Sequence, residues 1–449
     1  MEIKMKYSIV ISLLFGLFAC DSFLDEKPDQ SIVVVTTLKD VRSLLDNSVV
    51  FNRQGMLTGR SSDEFYITPA GLAPLNVTEQ RTYLWMDDPF QGEMVNDWVT
   101  PYQQVFYANV ALEALNDIKE GASAAIGELR GEALFHRSFA YFNLLQQFAP
   151  AYRLDGNNAG LLGIVLKQSA AVNEPAVRYA LQDCYGQVEQ DLLEAVELLP
   201  ASGLYKTRPN KAAALGMLAR LYLVTFDFEG AAEAAMAALD NYEARLDFNE
   251  IDVDARFPFQ TFGDETIFYS VHSSTRLNIS REAFVADVVT GLFKEGDLRI
   301  PAYFDEADEG RYLYSGKHSG NVTFFGGISV GELELTAAEA LARIGSSAEA
   351  IEILNGFLAR RFSPEYYEPV NESGLELVKK IIDERKLELF GRGIRWFDLR
   401  RLNQEPEFAT VFVRERDGNE IRIPPNSPKY VFPIPDLEIE RTGIEQNER

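Results

Sequence analysis

The chain has 449 residues, 46% of them hydrophobic, with 68 acidic side chains against 43 basic ones and a formal net charge of −25. So acidic a body repels phosphate backbones, which argues against nucleic acid as a partner, and its length permits one large domain or two of ordinary size. Cys20 and Cys184 are the two cysteines, and His136, His272 and His318 lie far apart, so neither a disulfide framework nor metal-ligand spacing is present.

Lys4 and Lys6 precede an apolar run, Tyr7 to Ala19. The run is too short for a bilayer, which takes about 20 residues, and suits an export signal. It ends in Leu17-Phe18-Ala19-Cys20 and turns at once polar and acidic. This resembles a bacterial lipobox, which implies removal of residues 1–19 and a lipid on Cys20. Asp21, Asp25 and Glu26 resemble the export signals of surface lipoproteins in the Bacteroidetes.

Beyond a tether at Asp25 to Ser31, Thr37 to Asn47 predicts a short amphipathic helix capped by Thr36 or Thr37. Asn52 to Gln91 has no sustained period and reads as loops. Helical spacing resumes near Trp98, with Val105, Ala108, Leu112 and Leu115 on one face and Pro101 in the first turn. A second helix follows Gly121, giving an antiparallel pair. After a loop comes a helix from about Val177 to Leu199, stopped by Pro200.

Lys211 to Phe226 and Phe228 to Tyr242 carry small residues, among them Ala214, Ala219, Ala231, Ala235 and Ala238, at helical spacing. Small side chains let two helices approach closely, the pattern of a tetratricopeptide-type hairpin. Leu333 to Phe362 repeats the scheme around Gly-Ser-Ser. Phe248 to Gly331 differs: rich in glycine, aromatic and β-branched residues, it predicts an irregular lobe with short strands. The expected fold is therefore mainly α. A tetratricopeptide-like helical superhelix (about 37–50, 98–245 and 333–402) carries a loop-rich lobe (about 52–95 and 248–331).

Leu375 to Leu402 is apolar on more than one helical face, yet it also holds Glu384, Arg385, Glu388, Arg392, Arg395, Asp398, Arg400 and Arg401. Charges that enter a core must be paired, since removing one partner costs about 3–5 kcal/mol. The segment predicts a helix, a break at Gly391 and Gly393, and a second short helix locked back by ion pairs. Many of these charges stand four apart, the spacing of self-pairing on a helix. The tail, 403–449, has six prolines, two strand-like runs about the turn Asp417-Gly418, and an extended closing stretch, KYVFPIPDLEIE.

Catalytic and cofactor motifs are scarce. GRYLYSGKHSG, from Gly310, is one residue too long for a phosphate loop and has His318 where Ser or Thr belongs. Asp247 to Asp254 alternates acids without the glycine and final glutamate of an EF-hand, and reads as an acidic surface patch. A glycosidase-type carboxylate pair leaves no motif, so hydrolysis stays open as an alternative. Aromatic residues make up 12% of the chain, many of them in the irregular segments. Asp63, Tyr66, Tyr83 and Trp85, with Tyr312 and Tyr314, form a candidate surface for stacking and hydrogen bonding to oligosaccharide or peptide. Cys184, in an apolar helical pattern, reads as a buried, inert thiol.

Several segments together resemble the SusD/RagB family: Cys20 with FLDEKPDQS, LRGEALFHRSFAYFNLLQQFAP from Leu129, TAAEALARIGSSAEAIEILNGFLARRF from Thr336, ERKLELFGRGIRWFDLRRL from Glu384 and YVFPIPDLEIE from Tyr430. The resemblance covers nearly the whole chain in order. It implies one such domain over residues 20–449, closed by the segment 403–449. It also implies a non-catalytic, cofactor-free lipoprotein, anchored in the outer membrane and facing the cell exterior. Such a protein holds oligosaccharide, or alternatively peptide, over a SusC-like TonB-dependent transporter. The shared motifs belong to the scaffold: Glu384, Arg385, Glu388, Arg395 and Asp398 read as the clasp of the last helices, and the ligand site is expected in the variable loops.

Overall fold

The computed structural model describes residues 35–449 apart from 120, 274, 309, 316, 317 and 417; the export signal, the tether and Cys20 lie outside the described residues. Helix α1 (Leu38–Leu45) starts at a capping box: Thr37 Oγ1 accepts the Asp40 N–H at 3.2 Å and the Asp40 carboxylate accepts the Thr37 N–H at 3.0 Å. Helices α2 (Asn96–Asp117) and α3 (Ser123–Phe148) pack together. Because α2 begins at Asn96, Pro101 falls in its second turn and not its first. Helix α4 (Leu181–Leu198) begins later than predicted, since Arg178–Ala180 is extended and pairs with Leu162–Val165. Its Cys184 is fully buried; burial pushes the thiol up to about 11.

The repeat hairpins form as their small residues require. Helices α5 (Lys211–Val224) and α6 (Phe228–Asp240) are capped by Asn210 and Asp227, whose side chains accept the Ala213 and Gly230 N–H groups at 2.9 Å each. Helices α7 (Val330–Arg343) and α8 (Ser347–Ala359) make the second pair, and α6 lies against α7. Ala231 and Ala338, each fully buried, share one core with Leu335, Phe357 and Ile381. This mainly α, tetratricopeptide-like architecture agrees with the sequence reading.

Helices α9 (Gly374–Glu388) and α10 (Ile394–Leu402) flank the expected break. Gly391 and Gly393 both have φ near 73°, a conformation open to glycine. Space demands glycine as well: a Cβ on Gly391 would stand 2.8 Å from the Tyr314 ring, and one on Gly393 2.6 Å from Thr58 Oγ1.

The lobe is more helical than predicted. Leu57–Ser61, Pro69–Leu72 and Val77–Tyr83 are short helices where loops were expected. They are too short to show a period; their local marks are the Asn76/Glu79 capping box and the Thr68 cap before Pro69. Four strands, β1 (Phe65–Ile67), β2 (Ala283–Val285), β3 (Phe304–Glu306) and β4 (Tyr312–Tyr314), form an antiparallel sheet in the order β1-β2-β4-β3. The two loop-rich stretches of sequence are therefore one structure. In the tail, β5 (Phe412–Arg416) and β6 (Asn419–Ile423) make the predicted hairpin, with Arg416 opposite Asn419. The closing stretch is helical over Asp436–Thr442 rather than extended, starting directly after Pro435.

Candidate functional site

The sheet fixes which side chains of the lobe reach solvent. Register places Tyr66 opposite Phe284, Phe284 opposite Leu313 and Leu313 opposite Asp305. Side chains alternate along a strand, so these four form one row across the outer face. Phe65, Ile67, Val285, Phe304 and Tyr314 point inward and join the core of the lobe. Over the outer face opens a cavity of 960 Å³, with Phe284, Leu313 and Asp305 among its lining residues. Arg311 also lines it: its guanidinium lies 4.2 Å from the Phe284 ring centroid and donates to both Asp308 carboxylate oxygens at 2.8 Å. Phe257, Ile279 and Val322 add apolar wall, and Asp254, Arg256 and Glu306 add polar rim.

The residues nominated from sequence separate into two groups. Tyr66 is 47% exposed and stands in the outer row. Tyr312 is half-buried on the other face, its ring 5.0 Å from that of Phe293. Tyr314 is 8% exposed and packs at 5.0 Å against Phe390, although it borders the cavity. Tyr83 and Trp85 are core residues, 2% and 1% exposed. The Tyr83 hydroxyl accepts the Ile67 N–H at 2.9 Å, and Trp85 donates its indole N–H to the Ser61 carbonyl at 2.9 Å. Neither ring has a free face for a ligand, because Arg414 lies over both, 3.8 Å and 4.0 Å from their centroids. Asp63 is also withdrawn from ligand contact, since Arg395 binds both of its oxygens at 2.8 Å. Phe284, Leu313, Asp305 and Arg311 are additions that only strand pairing reveals. In sequence, Phe284 sits in the uniformly apolar Ala283-Phe284-Val285, which gives no sign of two faces.

Charge holds this lobe to the helical scaffold. Arg299, just before β3, bridges Asp297 at 2.7 Å and Glu384 of α9 at 2.5 Å. Arg361 binds Glu265 at 2.9 Å and Glu388 at 3.1 Å. Burial alone would raise the Glu384 and Glu388 carboxyls, but the surrounding cations outweigh it and hold both below the usual range. Within the scaffold, Arg385 reaches Asp398 at 3.3 Å, and Arg401 binds Glu339 at 2.6 Å and Asp398 at 2.8 Å. The expected clasp between α9 and α10 is thus the Arg385–Asp398 contact alone. Glu384 pairs with Lys380 within α9, and Glu384, Glu388 and Arg395 also pair with Arg299, Arg361 and Asp63 outside the two helices, so the charged segment joins scaffold to lobe.

Among the described residues, no group of three His, Cys, Asp or Glu side chains could hold a metal ion, and no helix is long and apolar enough to cross a membrane. The chain is thus a helical-repeat scaffold bearing a lobe with an open cavity of mixed apolar and charged lining. Residues 22–223 match the family described as "Starch-binding associating with outer membrane", and residues 330–448 match the SusD family. SusD-like protein P2 of Formosa agariphila is 26% identical, covering 98% of each chain. The fold is similar to that of a SusD superfamily protein from Bacteroides thetaiotaomicron (TM-score 0.74, 20% identity, 92% of this chain and 100% of that one). It is also similar to a laminarin-binding SusD-like protein (TM-score 0.66, 20% identity, 91% of this chain and 98% of that one). The chain belongs to the SusD/RagB family.

Proposed function

We propose that this chain is a non-catalytic surface lipoprotein that captures oligosaccharide in the cavity over the sheet and hands it to a TonB-dependent outer-membrane transporter. The observation that carries the reading is the row Phe284, Leu313 and Asp305 beneath the cavity, with the exposed Tyr66 next to Phe284 in the same row. Half-buried apolar side chains, Phe257 and Leu313 among them, beside carboxylate and guanidinium edges suit a sugar, which presents C–H faces and hydroxyl edges. The laminarin-binding neighbour supports a saccharide as ligand, and the family description supports an outer-membrane setting. Anchoring at Cys20 after removal of residues 1–19 would place residues 20–449 outside the cell on a lipid.

Retention in native gels cast with neutral polysaccharides tests the binding role. Tyr66→Ala with Asp305→Ala is expected to abolish retardation without lowering Tm. Unchanged retardation would move the site elsewhere. Release of reducing ends by the purified protein would replace this reading with a surface glycoside hydrolase, and co-purification with an outer-membrane transporter checks the handover partner.

A further inference from the structure

The cavity's charge and one pinned side chain point to the chemistry of its ligand. Among its described lining residues, five carboxylates face three guanidinium groups, on a chain of net charge −25. Asp254, Asp305 and Glu306 are all exposed, so they keep their charge toward whatever enters. Of the three arginines, Arg311 is already neutralised by Asp308. An entering carboxylate or sulfate would meet excess like charge, which costs affinity and slows association.

Arg311 nevertheless has donors to offer. Its bonds to Asp308 both run through Nη2, so Nη1, on a side chain 40% exposed, is left to donate. The guanidinium lies over the Phe284 ring and is tied to Asp308, so little further ordering is needed when it binds. Asp305 on the same face supplies an acceptor. A fixed planar donor next to a carboxylate acceptor reads adjacent hydroxyl groups, each of which can donate and accept.

We infer that the cavity selects neutral oligosaccharides over uronate- or sulfate-bearing ones, and that Arg311, stacked on Phe284 and tied to Asp308, is the specificity-determining residue. This rests on the reading of the cavity as the oligosaccharide site.

Titration calorimetry of the full chain in detergent tests it, using neutral glucan, mannan and xylan oligosaccharides beside polyuronate and sulfated chains of equal length. At least one neutral probe is expected to bind with an affinity indifferent to added salt, and the anionic probes about tenfold or more weakly. Arg311→Ala and Arg311→Lys should each weaken the neutral probe about tenfold with Tm unchanged, lysine failing because it lacks the planar donor edge. Tighter binding of an anionic probe overturns the charge argument. Wild-type affinity in Arg311→Ala, with binding lost in Asp305→Ala, overturns the role of Arg311 and leaves the cavity reading standing. Wild-type affinity in all of these variants overturns the cavity reading itself.

Discussion

Asp63 and Arg395 meet in a two-point ion pair, both bonds 2.8 Å long, across 332 residues of sequence. The acid stands two residues before the strand that carries Tyr66, and the arginine belongs to α10, so the pair ties the sheet of the lobe to the helix that marks the family. Both side chains are nearly out of solvent, 10% and 8% exposed. Each is therefore the other's main compensation for lost hydration.

Removing one partner leaves a buried charge alone. Asp63→Ala or Arg395→Ala is expected to cost about 3–5 kcal/mol, read as a lower urea midpoint, with glycan specificity unchanged in the folded fraction. Burial alone would raise the Asp63 carboxyl, but the charge and hydrogen bonds of Arg395 outweigh it and leave the group below its ordinary value of 3.8. Its contribution is thus complete at pH above that value and disappears as pH falls through the lower folded one. Acid titration of Tm should show wild type losing stability there, while Asp63→Asn, already deprived of the charge, loses less.

Its neighbour behaves in the opposite sense. Glu64 is buried, which lifts its carboxyl from 4.5 to about 7, and hydrogen bonds from Gly391 N–H and Ser62 oppose the rise only in part. Between those values the folded state binds more protons than the unfolded one, so stability falls as pH rises through the window, by about 3 kcal/mol at completion. Glu64→Gln keeps an acceptor for Gly391 and removes the ionisation. Its Tm should drop less than that of wild type between about pH 5 and pH 8. A slope equal to wild type would show that the carboxyl stays ionised throughout. Glu132, also raised to about 7 by burial, adds slope of the same sign, whereas His136 and His318, whose charged forms burial disfavours, add slope of the opposite sign below about pH 6.5.

Exposure divides the aromatic residues of the lobe into two experimental classes. Trp85→Ala opens the core and is expected to cost about 3–5 kcal/mol. Tyr66→Ala removes an exposed ring and should change stability by no more than about 0.5 kcal/mol, while weakening glycan retention. Thermal melts and affinity gels on the two variants separate a folding defect from a binding defect.

Lipid attachment can be checked independently of the fold. Labelled palmitate should enter the wild-type chain in its native host and fail to enter Cys20→Ala; equal labelling would reject the anchor.

The helices were legible because their marks are local. Thr37 announces a helix start, Gly391 and Gly393 announce a break, and the alanines of α5 and α6 announce close packing, each within a few residues. Aromatic residues of the lobe carried no such mark. Tyr66, Tyr83 and Trp85 are equivalent in composition and separated by few positions, yet the first faces solvent and the others fill the core.

The amino-acid sequence by itself determined the mainly helical repeat scaffold, the broken charged segment and the family, because periodicity, caps and motifs are properties of contiguous residues. Tertiary structure alone decided the partners of Glu384, Glu388 and Arg395 and the membership of the outer face of the sheet. Strand β2 had to pair with β1, from more than 200 residues earlier, before Phe284 acquired a side. A side chain's face in a sheet is set by register with distant strands, and short lobe strands of three residues carry too few positions to encode it.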